Sequence, residues 1–212
     1  MTRPDSAQQA VTRVVVVRHG QSEGNVARVW TSARAGFPLT DLGHQQARDV
    51  GQSLVGSGAV ALYASPLLRA QETGAEIGAV LGLAVRTLEG VEEMHVGVHE
   101  GAHDDTVGPI ALDVFGRWWR DGDLSARFEG GETGHEIASR MRASLEKVVA
   151  EHPGETVVVV SHGGVMAVAL TEMSENVDAE FVSQHILSNC ESVTVAHVDG
   201  TWRCETWAGI AL

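Results

Sequence analysis

The chain has 212 residues, 43% of them hydrophobic and 20% charged, the balance of a folded globular protein rather than a disordered one. A formal net charge of −13 argues against nucleic acid and anionic membrane as bulk partners, because both are polyanions. Two cysteines, Cys190 and Cys204, are too few for a disulfide framework, and no apolar run approaches the ~18–20 residues of a membrane span.

Residues 1–10 read as a loose polar tail without the apolar core of a secretion signal, so the expected location is cytoplasmic. Residues 11–212 read as one domain. Val11 to Val17 form a first strand, and the unbroken run Val14-Val15-Val16-Val17 marks it as buried on both faces. The strand runs directly into Arg18-His19-Gly20. Ligands of open α/β sheets bind beyond the carboxyl ends of the strands. Arg18 offers a planar donor fork for phosphate or carboxylate, His19 a nitrogen nucleophile or acid/base group, and Gly20 close backbone approach. Residues 18–39 read as a loop that includes Asn25. Thr40 caps a helix from Asp41 to about Ser57. Ala59 to Ala64 form a second strand. Ser65-Pro66 then reads as a helix start, with Ser65 as the cap and Pro66 at the first helical position. This puts Arg69 in the first turn, where free amides favour an anion.

Ala84 to Thr87 form a short third strand. The loop from Glu89 to Asp105 carries six acids, three histidines and no Lys or Arg. A carboxyl held among other carboxylates and apolar walls has a raised pKa and can carry a proton to a departing alkoxide. Spacing alone does not separate Glu92 from Glu93 in that role. His95, His99 and His103 recur every four residues, but Gly97 and Gly101 interrupt the helix that would align them as metal ligands. Asp113 to Arg120 read as a short helix. Phe115, Trp118 and Trp119 lie on it at core spacing, and packing, together with Phe128, is favoured over a substrate wall. Thr133 opens a helix to about His152, ended by Pro153-Gly154. Thr156 to Val160 form a second fully buried strand, ending in Ser161-His162-Gly163-Gly164. A helix from Val165 to about Met173 follows, then another from Asp178. Glu191 to His197 and Thr201 to Trp207 close the chain as a hairpin. Cys190 and Cys204 fall out of register across it and read as reduced. An open hairpin edge leaves room for pairing with a second copy as a homodimer.

Two valine strands that each deliver His-Gly at the C-terminal end are hard to explain by packing. If they are neighbours in one parallel sheet, His19 and His162 converge on one pocket.

Four stretches carry a family resemblance, in order along the chain. Arg18-His19-Gly20 with Asn25 resembles the Arg-His-Gly-x-x-x-x-Asn signature of the histidine phosphatase superfamily, which contains the cofactor-dependent phosphoglycerate mutases and many small phosphatases. Ser65 to Thr73, with Arg69-Ala70, resembles the family's second segment. Glu93 with Gly97, Glu100 and Gly101 resembles its acidic loop, and Ser161-His162-Gly163 its second histidine motif. The resemblance implies an α/β, three-layer phosphoglycerate mutase-like fold, with a mixed, mostly parallel central sheet flanked by helices and a lid insertion at about residues 95–132. It implies catalytic roles for Arg18, His19, Arg69, Glu93 and His162. Arg18, Asn25, Arg69 and a protonated His162 would bind the phosphoryl oxygens, with no metal and no cofactor. The expected activity is hydrolysis of a small-molecule phosphomonoester through a phosphohistidine on His19. The first alternative is a phosphoglycerate mutase. Mutases of the family carry Arg-His-Tyr after the acid, where this chain has Met94-His95-Val96, and only Arg117, Arg120 and Arg127 are at hand to bind a substrate carboxylate. The second alternative is an inactive phosphate-binding module.

Overall fold

The computed structural model describes residues 10–212; the tail expected over 1–10 falls, apart from Ala10, outside them. Seven strands, β1 (Thr12–Arg18), β2 (Ala59–Ala64), β3 (Val85–Thr87), β4 (Thr156–Ser161), β5 (Ser192–Val198), β6 (Thr201–Trp207) and β7 (Ile210–Ala211), form one sheet in the order β3-β2-β4-β1-β5-β6-β7. The strands β3, β2, β4 and β1 are parallel neighbours, and β5, β6 and β7 follow antiparallel. Strands β1 to β4 and β6 therefore point one way, and β5 and β7 the other. The helices are α1 (Glu23–Val26), α2 (Asp41–Ser53), α3 (Leu68–Leu81), α4 (Asp104–Trp119), α5 (Gly134–Glu151), α6 (Gly163–Met173) and α7 (Ala179–Gln184), with one 3-10 turn over Gly97–His99. Among the described residues no helix is long and apolar enough to cross a membrane.

The valine runs explain the layering. Val15, Val17, Val158 and Val160 share one buried cluster with Ala70 and Ile77 of α3. Val14, Val16, Val157 and Val159 share a larger cluster with Met141 and Leu145 of α5 and Met166 and Leu170 of α6. Alternate residues of a strand face opposite sides, so each run feeds both cores, and each buried valine contributes about 1.5–3 kcal/mol.

Several boundaries differ from expectation for identifiable reasons. The lid helix α4 starts at Asp104, not Asp113. Pro109 sits in its first half, so only the Asp105 carbonyl loses a helical donor, and the His103 ring caps the start by accepting from Asp105 N (3.2 Å). Helix α3 starts at Leu68 with no side-chain cap, so Pro66 precedes it and Ser65 does not cap it. The expected loop at 18–39 contains the single turn α1, closed by a capping box between Ser22 and Asn25. The hairpin turns at Asp199 and Gly200, with φ of 52° and 81°, as its tight right-twisted geometry requires. Both cysteines are free. Cys204 faces Val195 across the hairpin, and burial pushes both thiols up to about 12.

Candidate active site

Strand pairing builds the site. Arg18 is the register partner of Ser161 across β1 and β4, so His19 and His162 leave the sheet side by side. The His19 backbone N–H donates to Ser161 O (3.0 Å), and the two imidazole centroids are 5.1 Å apart. His19 Nδ1 donates to Gly20 O (2.7 Å). That bond fixes the tautomer and leaves the lone pair on Nε2. Arg69 Nε donates to Nε2 at 3.0 Å. Burial first, then the Arg69 charge, push the His19 pKa well below its usual value, so the ring is neutral.

Arg69, buried, and Arg18, half-buried, are the cations at the site. Arg69 lies in the first turn of α3, and its Nη2 donates to Thr31 O (3.1 Å). Arg18 Nη1 donates to Leu187 O, while Arg18 Nε is buried with no partner. A Cβ on Gly163 would stand 3.1 Å from that Nε, so glycine there leaves the guanidinium its space. Burial lowers both arginine pKa values, and the charge of Glu93 opposes the shift in each. Glu93 is the carboxylate the two guanidiniums have in common, with Glu191 acting further on Arg18 and Glu100 on Arg69.

Glu93 sits on the N-terminus of α6. Its Oε1 accepts from Val165 N (2.9 Å) and Met94 N (2.9 Å), and its Oε2 from Gly164 N (3.2 Å). The expected setting among carboxylates is therefore wrong for Glu93: backbone amides hold it. The carboxyl whose pKa is raised is Glu92, by burial first and then by a hydrogen bond with Glu89. Glu92 accepts from Gly90 N (2.6 Å) and lies off the cavity that Glu93 lines. The acidic loop, without a cation of its own, is clamped by Arg140 of α5. Arg140 Nη1 donates to Gly90 O (3.0 Å) and Glu92 O (2.8 Å), and its Nε to Glu132 Oε1 (2.7 Å). Sequence reading missed Arg140; its charge among the apolar positions of an amphipathic helix was the available signal.

His162 is fully buried behind His19 and is not among the residues that line the cavity. Burial first, then Arg69 and His19, push its pKa well below the usual value, which disfavours the expected protonated imidazole. Ser65 Oγ is 2.8 Å from His162 Nε2, and Nδ1 is buried with no partner. A neutral ring satisfies this if Ser65 O–H donates to Nε2, so that Nδ1 carries the hydrogen. Asn25 Oδ1 accepts from Ser22 N (3.0 Å) and from Asn189 Nδ2 (3.2 Å), so any bond it gives a phosphoryl oxygen must come from its own Nδ2.

These groups sit at the floor of a cavity of about 650 Å³, lined by Arg18, His19, Asn25, Arg69 and Glu93 and walled further out by α4 and the end of α7. The aromatics of α4 divide. Trp118 is buried with its Nε1 donating to Ala126 O (2.8 Å), and Phe128 is in the core, as expected. Phe115 and Trp119 line the cavity, joined by Trp30. The three loop histidines have separate local contacts. His95 Nδ1 accepts from Gly97 N (3.2 Å), His103 caps α4, and His99 packs edge-on against Phe128. Arg117 pairs with Asp123 and Arg120 with Asp121. Neither these two nor Arg127 lines the cavity.

The description "Histidine phosphatase superfamily (branch 1)" matches residues 14–209. A probable phosphoglycerate mutase GpmB of Serratia proteamaculans (strain 568) is 30% identical over 199 residues, covering 92% of this chain and 89% of that protein. The solved structure of "Mycobacterial hydrolase 1" superposes with a TM-score of 0.79 at 26% identity, covering 95% of this chain and all of that one. A mycobacterial glucosyl-3-phosphoglycerate phosphatase solved with VO3 gives a TM-score of 0.78 at 25% identity, covering 92% of this chain and 98% of that one. With its paired strand-end histidines and arginines in the matched region, this chain belongs to the histidine phosphatase superfamily.

Proposed function

We propose that the protein is a phosphomonoester phosphatase that works through a phosphohistidine on His19. The observation that carries this reading is the pair Arg18 and Arg69 around the neutral imidazole of His19, with the buried Arg18 Nε lacking any acceptor. Such an arrangement calls for a multivalent anion, and its nucleophile already has a fixed tautomer.

In the first step the Nε2 lone pair attacks phosphorus and forms the N–P bond as the P–O bond to the alcohol breaks. Arg69 Nε transfers its hydrogen bond from Nε2 to a phosphoryl oxygen, and Arg18 Nε supplies another. Asn25 Nδ2 completes the cradle, and the neutral His162 ring packs behind His19. The Glu93 carboxyl passes a proton to the leaving oxygen. In the second step the Glu93 carboxylate takes a proton from water, the water oxygen attacks phosphorus, the N–P bond breaks and inorganic phosphate leaves. The arginines carry the charge stabilisation on the equatorial oxygens.

A mutase reading has in its favour several relatives named as probable phosphoglycerate mutases. Against it, among the described residues no cation beyond the phosphoryl floor is free on the cavity wall: Arg28 is engaged by Asp104 (2.7 Å) and Asp105 (3.1 Å). A phosphorus NMR time course with 3-phosphoglycerate, a trace of 2,3-bisphosphoglycerate and a set of other phosphomonoesters separates the readings. Growth of inorganic phosphate that disappears in His19→Ala supports the phosphatase. Conversion to 2-phosphoglycerate without free phosphate identifies a mutase. Equal activity in wild type and His19→Ala defeats the phosphohistidine mechanism.

A further inference from the structure

We infer, on the footing of the phosphatase reading, that the alcohol half of the substrate is a bulky, uncharged, apolar group rather than a polyol or a carboxylate-bearing acid. The floor of the cavity is polar, but the walls above it are hydrocarbon: Trp30, Met94, Leu112, Phe115, Trp119 and Ile186. Leu112 is 77% exposed and Ile186 58% exposed, so the apolar surface continues from the buried Met94 out to both lips of the mouth. An exposed leucine or isoleucine alone needs no explanation. Two that continue the wall of a catalytic cavity form a surface a ligand can cover.

Most polar groups of the wall are already satisfied, the exception being the indole Nε1 of Trp119, which is buried without a partner. Arg28 is paired twice with aspartates, and Trp30 Nε1 donates to Asp104 Oδ1 (2.8 Å). Ser183 Oγ donates to Glu180 O (2.7 Å), and Ser22 Oγ donates to Asn25 Oδ1 (3.1 Å). A sugar or a glycerate would lose its water to this wall and find few partners, at a cost that selects against it. An alkyl or ring system would bury apolar surface on both sides. The cavity of about 650 Å³ lies within the ~300–1,000 Å³ that accommodates drug-sized ligands, well beyond what a phosphoryl group fills.

The test compares kcat/KM for ethyl, hexyl and decyl phosphate with glycerol 3-phosphate and 3-phosphoglycerate. All five leave as aliphatic alkoxides, so leaving-group basicity stays nearly constant and wall contact is what varies. Binding of decyl phosphonate and of 3-hydroxypropyl phosphonate to the His19→Ala protein runs alongside. The expected result is a preference of about tenfold or more for hexyl over ethyl phosphate, with the hexyl-to-ethyl ratio falling about tenfold in Leu112→Asp and in Ile186→Asp. A flat alkyl series, or glycerol 3-phosphate or 3-phosphoglycerate favoured over hexyl phosphate, overturns the inference while leaving the phosphatase standing. If no ester releases phosphate, the phosphatase reading falls. The phosphonates then decide the wall separately: tighter binding of the decyl compound upholds it, and equal binding ends it.

Discussion

Arg69 donates its Nε–H to Nε2 of His19 at 3.0 Å, so the cation rests on the lone pair that attacks phosphorus. The arginine thus has two tasks. It opposes protonation of His19 in the empty site, and it moves onto a phosphoryl oxygen when substrate arrives. Arg69→Met is expected to lower kcat/KM by about 10²–10³. It also moves the acid limb of the pH–rate profile. Burial and the Arg69 charge together hold the His19 pKa below its usual value. Activity in wild type therefore persists below the ordinary histidine range, and removing the charge shifts the loss of activity to higher pH. An acid limb that stays in place in Arg69→Met would contradict this account.

Stability should fall as pH drops from neutral. His19 and His162 both have pKa values pushed well below normal by burial. Above about pH 6.5 they are neutral in folded and unfolded chains alike and add no pH dependence. Below it the unfolded chain takes up protons that the folded chain refuses, and each histidine costs about 1.4 kcal/mol per pH unit. The loss continues until the lowered folded-state pKa is reached. Urea unfolding between pH 7.5 and 5.5 measures the slope, and His162→Gln should make it shallower by about one proton. An identical slope in the variant would show that His162 is not buried neutral.

Glu93→Gln separates proton delivery from phosphoryl binding. General acid catalysis is typically worth about 10²–10⁴ in rate, and that loss should appear on alkyl esters, whose alkoxides need a proton. Aryl esters leave as weaker bases, so their first step should be much less affected and a burst of phenol should precede slow turnover, because Glu93 also activates the water. Rapid-quench kinetics reads the burst. Equal losses on both ester classes would remove Glu93 from the acid role.

Ser65→Ala should act through His162. The hydroxyl is fully buried and lies 2.8 Å from His162 Nε2, and stranding a buried ring nitrogen costs about 1–3 kcal/mol. Unfolding titrations give the stability change. Nitrogen NMR of the imidazole should show the single tautomer of the wild type give way to a mixture. An unchanged ring spectrum would make Ser65 a packing residue only.

The parts of the site that were legible in sequence lie on the strongest local signals. Val14–Val17 and Val157–Val160 announce two-sided strands, and His19 and His162 sit at their ends, so strand pairing alone brings them together. The Gly20 carbonyl as the partner of His19 Nδ1 follows from adjacency. What failed depends on distant chain segments. Ser65 looks like a helix cap because Pro66 follows it, yet its partner is His162, just beyond β4. Glu93 stands in an acidic loop, yet its oxygens meet the amides of Gly164 and Val165 from α6. The charge state of His162 is set by its burial beside Ser65 and His19, which no local pattern reports. Helix α4 runs through Pro109, a local breaker, because the capping by His103 and the buried Val107, Ala111, Val114 and Trp118 hold it.

The sheet order carries a consequence for biosynthesis. Strand β1 is flanked by β4 and β5, both encoded in the last third of the chain. As the polypeptide leaves the ribosome, Val14–Val17 must wait unpaired until Ser161 and then Val198 have been made. At ~5–20 residues per second that delay is on the order of ten seconds. A β-branched, uncharged run is an aggregation hazard for as long as it is exposed. The pairing that aligns the two histidines therefore also leaves an apolar run uncovered during synthesis, and a chain released before β4 is complete has neither a central strand in place nor a site.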